Sequence, residues 1–197
     1  NTVTPTYKVF TDGLIPQSGL YFNSYTFFTI FRSIYEENIG YGGLVIAYGG
    51  NTYLENSKIF NHQITGSSVV GTYLSIANLF INDLWMVNNT ILKDPLLPKN
   101  RPAVFSLLNA NLDANNIVIT DGSASGGATL LFAILTDGQI TNLTVQDFYR
   151  TDVGEAPLMT LSYSTLDMTD LEFTNTTGIF KLEGGTFSIT SANFQEI

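Results

Sequence analysis

The 197-residue sequence predicts an all-β fold, a right-handed parallel β-helix (a solenoid) of about six to seven coils. Three observations carry this. With 24 Thr, 18 Asn and 24 Phe plus Tyr, the chain is dominated by β-branched, aromatic and turn-forming residues, while good helix formers are sparse. Apolar and polar residues alternate in short runs, and no long stretch holds a helical period. Finally, one phrase repeats along the chain.

The phrase is apolar–x–apolar, two small polar residues, apolar–x–apolar. It reads Leu79-Phe-Ile81-Asn-Asp-Leu84-Trp-Met86, then Leu112-Asp-Ala114-Asn-Asn-Ile117-Val-Ile119. It returns as Gly138-Gln-Ile140-Thr-Asn-Leu143-Thr-Val145, as Leu166-Asp-Met168-Thr-Asp-Leu171-Glu-Phe173, and as Phe187-Ser-Ile189-Thr-Ser-Ala192-Asn-Phe194. A weaker copy is Leu54-Glu-Asn56-Ser-Lys-Ile59-Phe-Asn61, and Phe28-Thr-Ile30 begins another. With the third position as register, 56, 81, 114, 140, 168 and 189 are separated by 25, 33, 26, 28 and 21 residues. A second apolar segment precedes each phrase, as in Leu44-Val-Ile46, Val104-Phe-Ser-Leu107 and Leu130-Leu-Phe132. No such unit can bury its apolar side alone, so neighbours must stack. Residues 28–197 form the β-helix in this reading, and residues 1–27, which are less periodic, form an N-terminal segment able to cap it.

Period-2 alternation places Leu79, Ile81, Leu84 and Met86 inside, with equivalents above and below. The polar pairs (Asn82-Asp83, Asn115-Asn116, Thr141-Asn142, Thr169-Asp170, Thr190-Ser191) fall at one corner, where Asn and Asp tolerate a left-handed bend. Unequal steps then mean extruded loops. Four of the six prolines lie in two such loops, 93–102 and 150–157, where no ladder hydrogen bond is lost. An antiparallel sandwich is the rival, and it would require hairpins, for which Thr-Asp-Gly at 11–13, 120–122 and 136–138 would serve.

Charge narrows the partners. Seventeen acids against eight bases give a net charge of −9, which opposes nucleic acid and other polyanions. The absence of cysteine excludes disulfides, thiolate metal sites and a Cys nucleophile. No apolar run is long enough for a helical membrane span, so no membrane insertion is expected. The sequence opens without Met and without a basic-then-apolar leader, which reads as a processed product or an excised piece.

The stretch GGLVIAYGGNTYLENSKIFNHQITG at 42–66, with the later copies of the phrase, resembles the repeats of pectin-lyase-like right-handed parallel β-helix proteins. Its Gly-Gly-apolar style is also similar to chlamydial polymorphic outer-membrane proteins and large protist surface proteins. The resemblance spans roughly residues 28–197 and implies architecture. It leaves activity open, because that superfamily holds lyases, hydrolases, tailspikes, adhesins and passive surface proteins.

Polysaccharide-cleaving members imply clustered Asp with a Gly-His-Gly type of motif, or calcium-binding acids beside Arg or Lys. This chain has one histidine, His62 in Asn61-His62-Gln63, expected as an exposed polar residue, and its bases are scattered. One outward column is expected to read Glu55, Phe80, Asp113, Gln139, Asp167 and Ser188. Asp113 and Asp167 would then stand two strand spacings apart, roughly 9.6 Å, just beyond the separation of inverting glycosidases. They are expected to be a solvated face. The corner acids Asp83 and Asp170 alternate with Asn116, Asn142 and Ser191, which suits a side-chain ladder better than calcium. The reading therefore names no catalytic residue, no metal and no cofactor.

Three sequons match N-x-[ST]: Asn88-Asn-Thr90, Asn142-Leu-Thr144 and Asn175-Thr-Thr177. Asn88 follows Leu84 by four and Asn175 follows Leu171 by four, the third apolar position of each repeat, so both are expected at one exposed corner, as glycan acceptors. Asn142, at the polar corner, is the weakest. Phe60, Trp85 and Val118 are expected to stack on one outer face, with Phe80 just before the corner. Phe60, Phe80 and Trp85 are thus candidates for a protein interface or a sugar-stacking platform, unless the 92–102 loop covers them. The resulting expectation is a non-enzymatic extracellular or cell-surface module, structural or adhesive, stacking end to end or against neighbouring β-helix domains, with glycans as further partners. The alternative is a carbohydrate-active β-helix, either a lyase or hydrolase or a tailspike-like glycan-binding domain.

Overall fold

A computed structural model describes residues 2–3, 7–10, 13–16, 19–23, 26–37, 39–41, 43–66, 68–72, 76–94, 103–125, 129–151, 158–177 and 180–196. Among the described residues there is no helix, and the strands are almost all parallel. They fall into three rows. The first holds Gly19–Asn23, Gly43–Ala47, Val70–Thr72, Ala103–Leu108, Thr129–Ile134, the start of Met159–Thr174, and the start of Phe180–Ile189. The second holds Thr26–Phe31 with Ile34–Glu36, Gly50–Phe60, Ala77–Val87, Ala110–Thr120, Asp137–Gln146, the end of Met159–Thr174, and the end of Phe180–Ile189 with Ala192–Gln195. A short third row runs Thr2–Val3, Ile39–Tyr41, Gln63–Thr65, Thr90–Leu92, Ser123–Ser125 and Tyr149–Arg150. From Gly19 onward the chain visits the rows in the same order on each pass, and each pass pairs with the one before and after. The 16-residue strand Met159–Thr174 runs unbroken from the first row into the second and joins them into one curled sheet.

The sandwich alternative fails on pairing. Tyr7–Phe10 with Gly13–Pro16 is the sole antiparallel pair among the described residues, and it stands apart from the three rows.

The second row bends at single residues. Arg32, Asn56, Asp83, Asn116, Asn142 and Asp170 occupy equivalent positions and all have φ between 48° and 56°. One left-handed residue turns the strand and changes its alternation. Ile81 points in, Asn82 out, Asp83 bends, and Leu84 points in again. That is the physical origin of the two polar letters in the repeated phrase. A second column of bends, φ 51–55°, comprises Glu37, Asn61, Asn88, Asp121, Asp147, Asn175 and Glu196. Backbone N–H groups there bond to the next pass, as in Asn88 N to Thr120 O at 3.0 Å. Asn and Asp dominate both columns because they accept left-handed φ at low cost.

Inside, like stacks on like. Leu54, Ile81, Ala114, Ile140, Met168 and Ile189 form one register column, and Ile59, Met86, Ile119, Val145, Phe173 and Phe194 another. All but the last member of each column are buried. Each large side chain removed from water contributes about 1.5–3 kcal/mol. The register corrects the alignment of the weak copy, because Leu54, not Asn56, pairs with Ile81. Successive passes there are 27, 33, 26, 28 and 21 residues apart. Inward Thr52 and Ser57, both buried, stand where later passes place Leu79 and Leu84.

Candidate functional site

The outward side of the second row, ahead of its first bend, carries three parallel columns of side chains. Asn51, Asn78 and Asn111 form an amide ladder, each Nδ2 donating to the preceding Oδ1 at 2.7 Å. The middle column runs Tyr53, Phe80, Asp113, Gln139, Asp167 and Ser188. The third runs Glu55, Asn82, Asn115, Thr141 and Thr169. Glu55 thus belongs beside the Asp113 column and not in it, a consequence of the same two-residue register correction. Tyr53, which sequence reasoning missed, takes its place. Its signal was the alternation Thr52-Tyr53-Leu54, hidden by an inward hydroxyl in place of an aliphatic residue.

Tyr53 and Phe80 stack face to face, with centroids 4.5 Å apart and planes 10° from parallel. Phe27 lies on the other side of Tyr53 at 4.8 Å, tilted 34°. Past Phe80 the rings give way to acids and amides, and an open groove of about 420 Å³ lies among Glu55, Phe80, Asn82, Asp113, Asn115 and Gln139. Gln139 Nε2 donates to Asp113 Oδ1 at 3.1 Å, Asn115 Nδ2 to Asn82 Oδ1 at 3.0 Å, and Asn82 Nδ2 to Asp83 Oδ2 at 3.0 Å. Ser188 donates to Asp167 at 2.6 Å. Asp113 and Asp167 are exposed, with Gln139 standing between them in the column.

Trp85 and Phe60 lie beyond the bend, on a different face from Phe80. Trp85 shares a column with Lys58 and Val118, and the Lys58 ammonium sits 5.3 Å from its ring centroid. Phe60 pairs with Val87, so it does not stack on Trp85. The correct register moves it two positions along the same face. Residues 95–102, which the sequence offered as a cover for this stripe, lie outside the described residues, as do 152–157 of the second loop.

The acids at the first bend belong to a ladder. Asn116 Nδ2 donates to Asp83 Oδ1, and Asn142 Nδ2 donates to Asn116 Oδ1 at 3.1 Å. Among the described residues no three His, Asp or Glu side chains gather to hold a metal ion. At the second bend Asn88 and Asn175 share one column with Asn61, Asp121 and Asp147. Asn88 Nδ2 donates to Asn61 Oδ1 at 2.8 Å. Asn175 Nδ2 donates to Asp147 Oδ1 at 2.5 Å and also to the Tyr149 hydroxyl, which itself donates to Asp147 at 3.0 Å. These bonds, from Asn175 first and Tyr149 second, hold the Asp147 carboxyl below its ordinary pKa.

His62 overturns the expectation of an exposed polar residue: only 1% of its surface is accessible. The residue after a left-handed bend points inward, so Asn61 drives its neighbour into the core, as Asp83 drives Leu84. The His62 backbone N–H donates to Asn89 Oδ1 at 3.1 Å, while Asn89 Nδ2 donates to Ile59 O at 3.0 Å. The His62 Nε2 atom is buried without a hydrogen-bond partner. Burial lowers the imidazole pKa below 6.5, opposed in part by a hydrogen bond to the Tyr35 backbone.

No family model matches the chain, and no curated protein matches it. Among solved structures it is similar to a Parabacteroides merdae protein provisionally named a glycosyl hydrolase. That likeness has 10% identity and a TM-score of 0.27, and covers 76% of this chain and 80% of the other. At that level it carries no argument for fold or activity.

Proposed function

We propose that the protein is a right-handed parallel β-helix of seven coils that works as a non-enzymatic extracellular module, structural or adhesive. The hand follows from the strong preference of parallel crossover connections. The observation that carries the functional reading is the outward face itself. Asp113 and Asp167 each accept a hydrogen bond from the next pass through one oxygen, from Gln139 and Ser188 respectively, which ties both carboxylates to the neighbouring strand. A cleavage site would instead present an acid and a base to one bond. A screen of acidic and neutral polysaccharides for shortened products tests this. Robust turnover would replace the structural reading with the carbohydrate-active one.

Lateral or end-to-end self-association belongs to the same proposal. The last described pass leaves Leu182, Ile189 and Phe194 half-exposed or nearly so (50%, 37% and 42%), although their register partners Leu161, Met168 and Phe173 are buried. Light scattering across a concentration series should show assembly, and a concentration-independent monomer would remove this part of the proposal. We assign N-linked glycans to Asn88 and Asn175 when the chain is made in a eukaryotic secretory pathway, because both lie at the bend that faces away from the core. Mass spectrometry of such material, showing both asparagines bare, would overturn that assignment.

A further inference from the structure

We propose that the groove beside Phe80 binds a neutral sugar chain, with one hexose ring stacked on the Phe80 face where the aromatic ladder stops. The inference rests on the non-enzymatic reading of this face and names its partner. Tyr53 and Phe80, register partners, stack at a centroid separation of 4.5 Å, close to one strand spacing, and Phe27 of the neighbouring Asn51 column reaches Tyr53 at 4.8 Å. The next position in the column is Asp113, whose side chain is too small to continue the stack, and the groove opens there. Tyr53 covers one face of the Phe80 ring. The other face borders the groove. A pyranose ring fits such a surface, because its polarised C–H groups meet the electron-rich face of the aromatic ring.

The polar atoms around that position choose the ligand chemistry. The side-chain ladder engages one N–H of each amide, Gln139 Nε2 and the Nδ2 atoms of Asn82 and Asn115, and leaves the second N–H of each open. It leaves acceptors open as well: Asp113 Oδ2, Gln139 Oε1, Asn115 Oδ1 and both Glu55 carboxylate oxygens, which line the groove, take no hydrogen bond from another described residue. A ligand rich in hydroxyls, each able to donate and to accept, matches this mixed lining. A polyanionic chain meets two carboxylates and a net charge of −9, so uronate and sulfated glycans are disfavoured.

The test uses the 197-residue chain with neutral glucose, galactose and mannose oligosaccharides, read by saturation-transfer NMR and calorimetry, with oligogalacturonate and oligoglucosamine as charged controls. At least one neutral series should bind, Phe80→Ala should weaken it about tenfold, and Phe80→Trp should retain it. Asp113→Leu, which keeps the ring but removes acceptors, should also weaken binding, whereas Trp85→Ala, beyond the bend, should not. Denaturant midpoints of the variants confirm that they fold. Failure of every neutral series, wild-type binding by folded Phe80→Ala, or tighter salt-sensitive binding of either charged control would overturn the proposal. Cleavage of a bound neutral sugar would sink the non-enzymatic reading and leave the sugar site standing; loss of binding alone would do the reverse.

Discussion

A methyl group on Gly122 would lie 2.6 Å from Cδ2 of Phe148, one pass further along the same inward column. Tyr149 N bonds to Gly122 O at 3.0 Å, which fixes the two passes at this separation. The buried Phe148 ring therefore occupies the space that any side chain at position 122 would claim. Gly122→Ala should destabilise the protein by about 1–3 kcal/mol through overpacking. Adding Phe148→Leu should recover part of that loss, since the smaller side chain vacates the space. Equilibrium denaturation of the single and double variants measures both effects; full additivity would show that the two positions do not compete.

Inward and outward positions of one strand should differ sharply. Ile81→Ala, Ile119→Ala and Phe173→Ala each empty a buried column position and should cost roughly 2–5 kcal/mol. Asp113→Asn and Asp167→Asn, on the exposed face, should stay within about 0.5 kcal/mol. Urea melts of the five variants would separate the two groups.

His62 gives the fold an acid-sensitive element. Burial holds its folded pKa below the ordinary 6.5, so the folded state resists a proton that the unfolded chain accepts. Its contribution to stability is therefore complete above about pH 6.5 and declines as pH falls through that value toward the folded pKa. Denaturant midpoints measured from pH 8 to pH 5 should fall on the acid side. His62→Gln should flatten the part of the curve near pH 6, whatever its effect on absolute stability. An unchanged slope in that variant would assign the acid sensitivity to carboxylates.

Leu135 adopts φ 51° with 55% of its surface exposed, at the position where Asn109 stands one pass earlier. A leucine pays for left-handed φ with a clash between Cβ and the carbonyl, worth roughly 1–2 kcal/mol. Leu135→Asn should stabilise the protein by about 1 kcal/mol, because Asn relieves that strain and little packing is lost. Thermal melts would detect the shift, and a lower melting temperature would contradict it.

From Leu79 onward the strand register was readable, because large aliphatic residues mark both sides of each bend and Asn or Asp marks the bend itself. Inward Thr52 and Ser57 broke the code one pass earlier. Ile59 and Phe60 then offered a false match, and the error placed Phe60 with Trp85 and Glu55 with Asp113. Nothing in the local composition of Asn61-His62-Gln63 reveals that His62 is internal. Only the parity change at a left-handed residue does so, and that rule emerges from Asp83 and Leu84. Phe80 was visible as an outward aromatic, but its stacking on Tyr53 depends on register across 27 residues, which no short window contains.

Pairing confined to adjacent passes also sets how the molecule would yield to a mechanical pull. Among the described residues strands of the three rows pair only with neighbouring passes, so tension applied at one end meets resistance from the outermost ladder, and each rupture frees a single pass before the next is loaded. The 27 residues between Asn51 and Asn78 would lengthen the chain by roughly 90 Å on release. The force record should thus be a series of small steps of unequal length, the longest from the 33-residue pass and the shortest from the 21-residue pass.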